Sequence, residues 1–469
     1  MVQRTTAQER LREYLHSLPA SVRSRLAAVA REAVASGQAD PALKLIAGAL
    51  AGPGPLPPES VRIGPVPPVA VRFSDCLAPF ISTARSAIWV KGYLTQQTAS
   101  RLWGWLLAHA GDETATALSQ AERAVSLDAA QAADIRLFAR MADDVETAML
   151  TAKDDRTRAF QIQTELGSGD ALRELADLAV ILRSAPQLER LRWLLPQGIE
   201  KLDDRLSDEL MQLLVTVPAD RLWVAAERIA AAFSVPARVA VMAMRLEGTD
   251  NAQRIARGRW AAIVDVAIAQ VVMSADRVTA ARDWGELDAF LDDVRQGYLA
   301  IQTLTRSVEI ETWSPWRERI AECRKRISDR LGSELAELPA TLRRTIRAYV
   351  GGDGAAQVDE GDVEDVLRKL HLLYALKTYR GELAVNELVD RMLRLVEPLM
   401  ENANQSLLSL LRSSPGPHRE RAAAGFDTLM KCSVIVFGEE YAALLRRSAH
   451  MASDGLVRDV SREAPALVG

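Results

Sequence analysis

The residue types best suited to chemistry are scattered along this chain. Five histidines, His16, His109, His371, His418 and His450, lie in five different segments. Two imidazoles share a helical face only at spacings such as HExxH, and no pair here has that spacing, so no histidine-bound metal is expected. His371, inside KLHLLYAL, reads as a hydrogen-bonded histidine of the core or its boundary. Cys76, Cys323 and Cys432 are odd in number and widely spaced, with no CxxC pair and no adjacent histidine. They read as buried thiols in a reducing compartment. The chain has no GxSxG elbow, no SxxK and no phosphate loop. Gly167-Ser168-Gly169 precedes a helix start that could hold an anion, but Asp170 would place a negative charge there and reads as a cap instead.

Carboxylate pairs offer a second chemistry. Asp203-Asp204 with Asp208-Glu209, and Asp292-Asp293, stand on helical stretches and could hold magnesium against a diphosphate, as in terpene and prenyl synthases. DDxxD spacing is missing from both, and acidic pairs beside arginine are common on solvated helix faces. The densest basic run holds Arg317, Arg319, Arg324, Lys325, Arg326, Arg330, Arg343, Arg344 and Arg347. Glu318, Glu322, Asp329, Glu334 and Glu337 interleave with it, which suits an ion-paired helix surface better than a nucleic-acid or membrane face.

Partner binding has two handles. Pro55 to Pro58 and Pro65 to Pro68 both satisfy PxxP, the spacing read by polyproline-binding grooves, although any proline-dense linker produces it. Trp313 and Trp316 flank Ser314-Pro315 at a turn, where the indoles either anchor an interface or close a helix corner.

The elements that must position these residues are helices. Of 469 residues, 48% are hydrophobic and 26% charged, a globular balance with material for several domains. The net charge of -4 gives no chain-wide attraction to phosphate backbones or anionic lipid. No run approaches 18 apolar residues and the N-terminus lacks an apolar signal core, so neither a membrane span nor an ordinary secretory leader is expected and the compartment reads as cytoplasmic.

Residues 1–50 carry two helical patterns and read as a hairpin. The next stretch, 51–72, holds seven of the chain's 20 prolines between Pro53 and Pro68, which excludes helix there and gives a linker or a strap; Val61, Ile63, Val66, Val69 and Val71 favour a strap. Residues 73–350 read as the main array. Trp89, Tyr93, Trp103 and Trp105 form an aromatic cluster near its start, Ser119–Ala152 one or two alanine-rich helices, and Ile199 to Val217 one amphipathic helix. Trp260 to Val271 and Leu287 to Val308 add two long helices. A glycine-rich acidic loop at 351–362 precedes a helical unit at 363–469, interrupted at 413–418. Leu18-Pro19, Val217-Pro218 and Leu338-Pro339 look like recurrent helix corners, with no fixed period that would define a solenoid.

The fold class is therefore all-α, a multi-helix array or bundle of antiparallel helices behind an N-terminal helical hairpin and a proline-rich strap. With no catalytic, cofactor-binding or metal-binding residue picked out, the expected function is non-enzymatic: a helical protein–protein interaction or scaffold protein whose partner is another protein. A carboxylate–magnesium helical enzyme and a peripheral nucleic-acid or membrane binder through 317–347 are the alternatives.

Overall fold

The chain divides into two compact units, Met1–Val66 and Pro67–Gly469, with the boundary inside the proline-dense run. The computed structural model describes residues 66–86, 89–196, 198–281, 287–350, 359–383, 385–413 and 417–462. The expected hairpin at 1–50 and most of the proline run, with Pro55, Pro58 and Pro65, lie outside those residues. Pro68 is exposed and extended (φ -53°, ψ 148°), and helix begins at once after it. The valines assigned to a strap, Val69 and Val71, are instead the first turn of helix α1 (Val69–Leu77). Proline fixes φ but donates no N–H, so it suits this entry position.

Helices follow one another with short breaks whose chemistry is local. A 3-10 turn at Ala78–Phe80 leads into an irregular segment, and Thr95 then caps α2 (Gln96–Ala108) by accepting from the Thr98 N–H. The alanine-rich stretch forms two helices, α3 (Asp112–Glu122) and α4 (Leu127–Asp154), the second capped by Ser126. Asp155 caps α5 (Arg156–Leu166) through the Thr157 and Arg158 N–H groups, and Gly167 ends it at φ 74°, where a Cβ would be disfavoured. Then come α6 (Ala171–Arg183) and α7 (Ala185–Leu194). The amphipathic pattern expected from Ile199 starts late: α8 spans Asp204–Thr216, capped by Asp203, while Ile199 pairs its backbone with Phe233. Asp203 accepts the Leu206 N–H and so fixes the start there.

Beyond the Val217-Pro218 corner come α9 (Leu222–Ala230), α10 (Ala240–Glu247), α11 (Ala252–Arg257) and α12 (Ala261–Ala280). Next are α13 (Leu287–Ser307), α14 (Ser314–Ala336) and, across the Leu338-Pro339 corner, α15 (Leu338–Val350). The remaining helices are α16 (Glu360–Leu383), α17 (Asn386–Ser413), α18 (Pro417–Phe437) and α19 (Glu439–Arg462). The second unit is an all-α multi-helix array, and among the described residues there is no strand, only isolated bridges.

Two apolar cores hold this unit together. One joins residues between Val69 and Leu188 from α1 to α7, with α4 against α6 at its centre, and also takes in Val224 of α9. The other runs from Leu191 to Ala449, so helices on both sides of residues 351–358 contribute to one continuous core. Helix α9 stands between the two: Val224 belongs to the first, while Ala225, Ala226 and Ile229 belong to the second. A helix sandwiched in this way has little solvent face, and every residue from Val224 to Ala230 except Arg228 is buried.

Candidate functional site

Buried charged side chains are the rarest feature of such an interior. Among the described residues Asp134 and Lys369 are paired within ion pairs elsewhere, while Glu174, Glu227 and Asp276 converge on one piece of chain. The irregular segment between the Ala78–Phe80 turn and α2 has two described limbs, Ile81–Ser86 and Trp89–Thr95. A parallel bridge between Ile81 and Leu94 joins them: the Ser82 N–H donates to the Leu94 carbonyl at 2.7 Å and the Leu94 N–H to the Phe80 carbonyl at 2.8 Å. Unpaired backbone amides away from water are costly, so the limbs need further acceptors.

Carboxylates from α6 and α12 supply them, and one from α9 takes a side-chain donor. Asp276 of α12 accepts from the Arg85 and Ser86 N–H groups, both at 2.9 Å, and from the Ser86 hydroxyl. Asp177 of α6 accepts from the Gly92 N–H at 2.8 Å. Glu174, one turn earlier on α6, accepts from the Thr95 N–H at 3.0 Å and from the Ser168 hydroxyl at 2.6 Å. Glu227 of α9 accepts from the Tyr93 phenol, and Gln270 of α12 donates at 2.8 Å both to Glu227 and to the phenol oxygen. Glu174, Glu227 and Asp276 are at most 2% exposed. Val90 and Tyr93 pack with Ala269 and Met273 of α12, and Gly92, at φ 89°, lies over the Trp223 indole. The second limb therefore sits where the two cores meet.

Burial pushes the Glu227 carboxyl up to about 8, against the opposing pull of hydrogen bonds from Tyr93 and then Gln270. Burial, with the Glu227 carboxyl next, likewise holds the Tyr93 phenol well above its ordinary value. Burial raises Asp177, while the Gly92 amide and Lys91 oppose it. The set is a fastening of loop to helices rather than a coordination sphere: among the described residues no group of three or more His, Cys, Asp or Glu is placed to hold a metal ion.

The residues picked out from sequence fall elsewhere. Trp316 is buried, and its indole donates to Asp265 at 3.1 Å; Trp313 is half-buried beside it. Asp203 is a cap, Glu209 pairs with Arg205, Asp292 with Arg295, and Asp293 with both Arg85 and Arg277. Within the basic run, Arg319 meets Asp265, Arg326 meets Asp276, Arg330 meets Glu334 and Arg344 meets Asp362. His371 is exposed on α16 rather than at the core boundary, because the apolar stripe of that helix turns past it through Leu370, Leu372 and Leu373. Asp170 holds the cap position of α6, but its carboxylate binds Arg173 instead of a backbone amide.

Glu227 went unread in the sequence, yet it carries a signal. In LWVAAERIAAAF it and Arg228 are the only charges of an otherwise apolar helix. Burial pushes the thiols of Cys76, Cys323 and Cys432 up to about 12, 11 and 12, so all three stay protonated and poor as nucleophiles. Among the described residues no helix is long and apolar enough to cross a membrane. No protein-family model, curated protein or solved structure matches the chain.

Proposed function

We propose that this chain is a non-catalytic helical scaffold that binds another protein and works in a reducing, cytoplasmic setting. The observation that carries the reading is a pair of large apolar side chains held out to water on one helical hairpin. Leu150 of α4 and Phe160 of α5 come at the same sequence offset before and after Asp155 and are 67% and 69% exposed. Apolar groups of this size on a pair of helices each capped at its start are the kind of residue that anchors protein interfaces. Three cysteines without disulfide partners suit the compartment. The exposed, extended Pro68 suits the PxxP reading of Pro65 to Pro68 as a polyproline ligand, whereas Trp316 is buried and lies outside the proposed surface.

The test compares the intact chain with a Leu150→Glu/Phe160→Glu variant as bait in quantitative affinity capture, followed by binding of the purified partner. A protein held by the intact chain and weakened at least about tenfold by the variant supports the proposal. Equal recovery by both, or background alone with the intact chain, rejects it.

A further inference from the structure

The second limb, Trp89–Thr95, is tied to its bed by groups that are polar, buried and able to change charge. Its central tie is the Tyr93–Glu227–Gln270 cluster. With its proton on, Glu227 completes a neutral set of acid, phenol and amide. Without it, one negative charge sits between the two cores and faces only two neutral donors. No Lys, Arg or His side chain pairs with Glu227 among the described residues. A buried carboxylate without a cation is a poor occupant of an apolar interior, and lifting the limb to admit water relieves it.

Most charges on the elements packed against α9 are committed elsewhere; Arg190 of α7 is exposed and, like Arg238, makes no ion pair with Glu227. On α9 itself, Arg228 answers to Arg192, Cys76 and Glu189. On α7, Arg192 also reaches Asp75, and Glu189 accepts from the Trp193 indole. Asp220 and Arg221 pair with each other in the 3-10 turn before α9. Arg238 is half-buried in the 3-10 turn Pro236–Val239 and pairs with no described carboxylate. On α12, Asp265 meets Arg319 and Trp316, while Asp276 and Arg277 serve the first limb. The Ala78–Phe80 turn carries no titratable side chain. On the limb, Lys91 faces Asp177.

We propose that the Trp89–Thr95 limb is a proton-controlled clasp: it is seated across α6, α9 and α12 while Glu227 holds its proton, and it is released from them when that proton leaves. Its seating joins the two cores, so release loosens one helical layer against the other. The direction is set by the environment. Glu227 is raised in the seated state to about 8 and returns toward its ordinary value near 4.5 when the limb lifts. Seating is therefore strongest at acid pH, weakens as the pH rises between those values, and levels off above about 8. Asp177 is raised too and acts in the same sense through Gly92.

Hydrogen exchange of the intact chain, corrected for the intrinsic rate at each pH, tests this in the peptide that spans Val90–Thr95. Protection there should fall with rising pH, by up to about tenfold per unit from pH 6 to 8, and then flatten, while the core of α17 stays constant. In Glu227→Gln, which keeps the shape and the hydrogen bonds but cannot ionise, the fall should shrink to the smaller share carried by Asp177. Tyr93→Phe provides an independent readout. The phenol hydrogen bond lowers Glu227, so its loss should carry the fall to higher pH. A flat profile in the intact chain, an undiminished fall in Glu227→Gln, or an unmoved profile in Tyr93→Phe would each overturn the clasp.

Discussion

Tyr349 of α15 occupies the space where a side chain on Gly425 of α18 would have to stand. A Cβ built on Gly425 would lie 2.6 Å from both Cβ and Cγ of the tyrosine. These are the atoms nearest the backbone, and the ring is held at its far end by a 2.9 Å hydrogen bond between its hydroxyl and Thr428. The two helices approach this closely only because residue 425 has no side chain. Gly425→Ala should lower stability by about 1–3 kcal/mol through overpacking, read as a lower urea midpoint. Gly332, inside α14, is the control: its added Cβ would meet only Leu388 Cδ2 at 3.6 Å. Gly332→Ala should raise stability by about 0.5–1 kcal/mol, since alanine is the better helix former. Equal shifts of the same sign in both variants would refute the packing account.

Arg72 closes the N-terminal edge of the first core. Its Nε and Nη2 each donate to Asp134 at 2.7 Å, and Nη2 also reaches the Ala121 carbonyl, so one guanidinium ties α1 to both α3 and α4. Both side chains are about nine-tenths buried, 10% and 12% exposed. Arg72→Met leaves the Asp134 carboxylate buried without a cation and should cost about 3 kcal/mol. Arg72→Met/Asp134→Leu should regain most of that loss, because no charge is then stranded. A double variant no more stable than the single one in urea unfolding would show that the pair acts through something other than charge matching.

Helix periodicity carried most of the fold into view, and local capping decided where it misled. The stripe from Ile199 to Val217 is real, but Asp203 starts the helix and frees Ile199 to pair with Phe233. Val69 and Val71 looked like part of a strap because prolines precede them, but helix begins directly after the extended Pro68 and takes both valines into its first turn. The aromatic cluster read as one nucleus, whereas Trp103 and Trp105 pack in the first core and Tyr93 turns away onto α12.

The loop fastening was far less legible. Its members, Arg85, Tyr93, Glu174, Asp177, Glu227, Gln270 and Asp276, come from stretches of chain as far apart as 191 residues, the separation of Arg85 from Asp276. Each looks ordinary in its own helix. A lone carboxylate in an apolar run, as at Glu227, is the local trace such a site leaves, while its partners are set by the packing of α6, α9 and α12 and leave none.

Gly92 gives the limb its turn. Its φ of 89° disfavours any L side chain, and an added Cβ would stand 3.0 Å from two ring carbons of Trp223. Gly92→Ala should therefore both strain the backbone and push on the indole, lowering stability by about 1–3 kcal/mol. The loss should concentrate in the limb. Hydrogen exchange is expected to rise in Val90–Thr95 and in the start of α2, and to stay unchanged in α17 and α18; a uniform rise would place the damage elsewhere.

The same carboxyl that controls the limb should leave a mark on global stability, and its sign is fixed. Unfolding exposes Glu227 and returns it from about 8 toward its ordinary value near 4.5. The folded chain then binds more protons than the unfolded one between those values, so this group's contribution is complete below about 4.5, declines as the pH rises and is lost above about 8. The slope is at most about 1.4 kcal/mol per pH unit for one group. Glu227→Gln removes the titration while keeping a neutral hydrogen-bonding side chain, so urea unfolding should find the two proteins similar near pH 5 and the variant more stable by a few kcal/mol at most near pH 8.5. If the variant is instead the less stable protein at pH 8.5, then Glu227 serves the fold as an anion and the acid form is not the one that seats the limb.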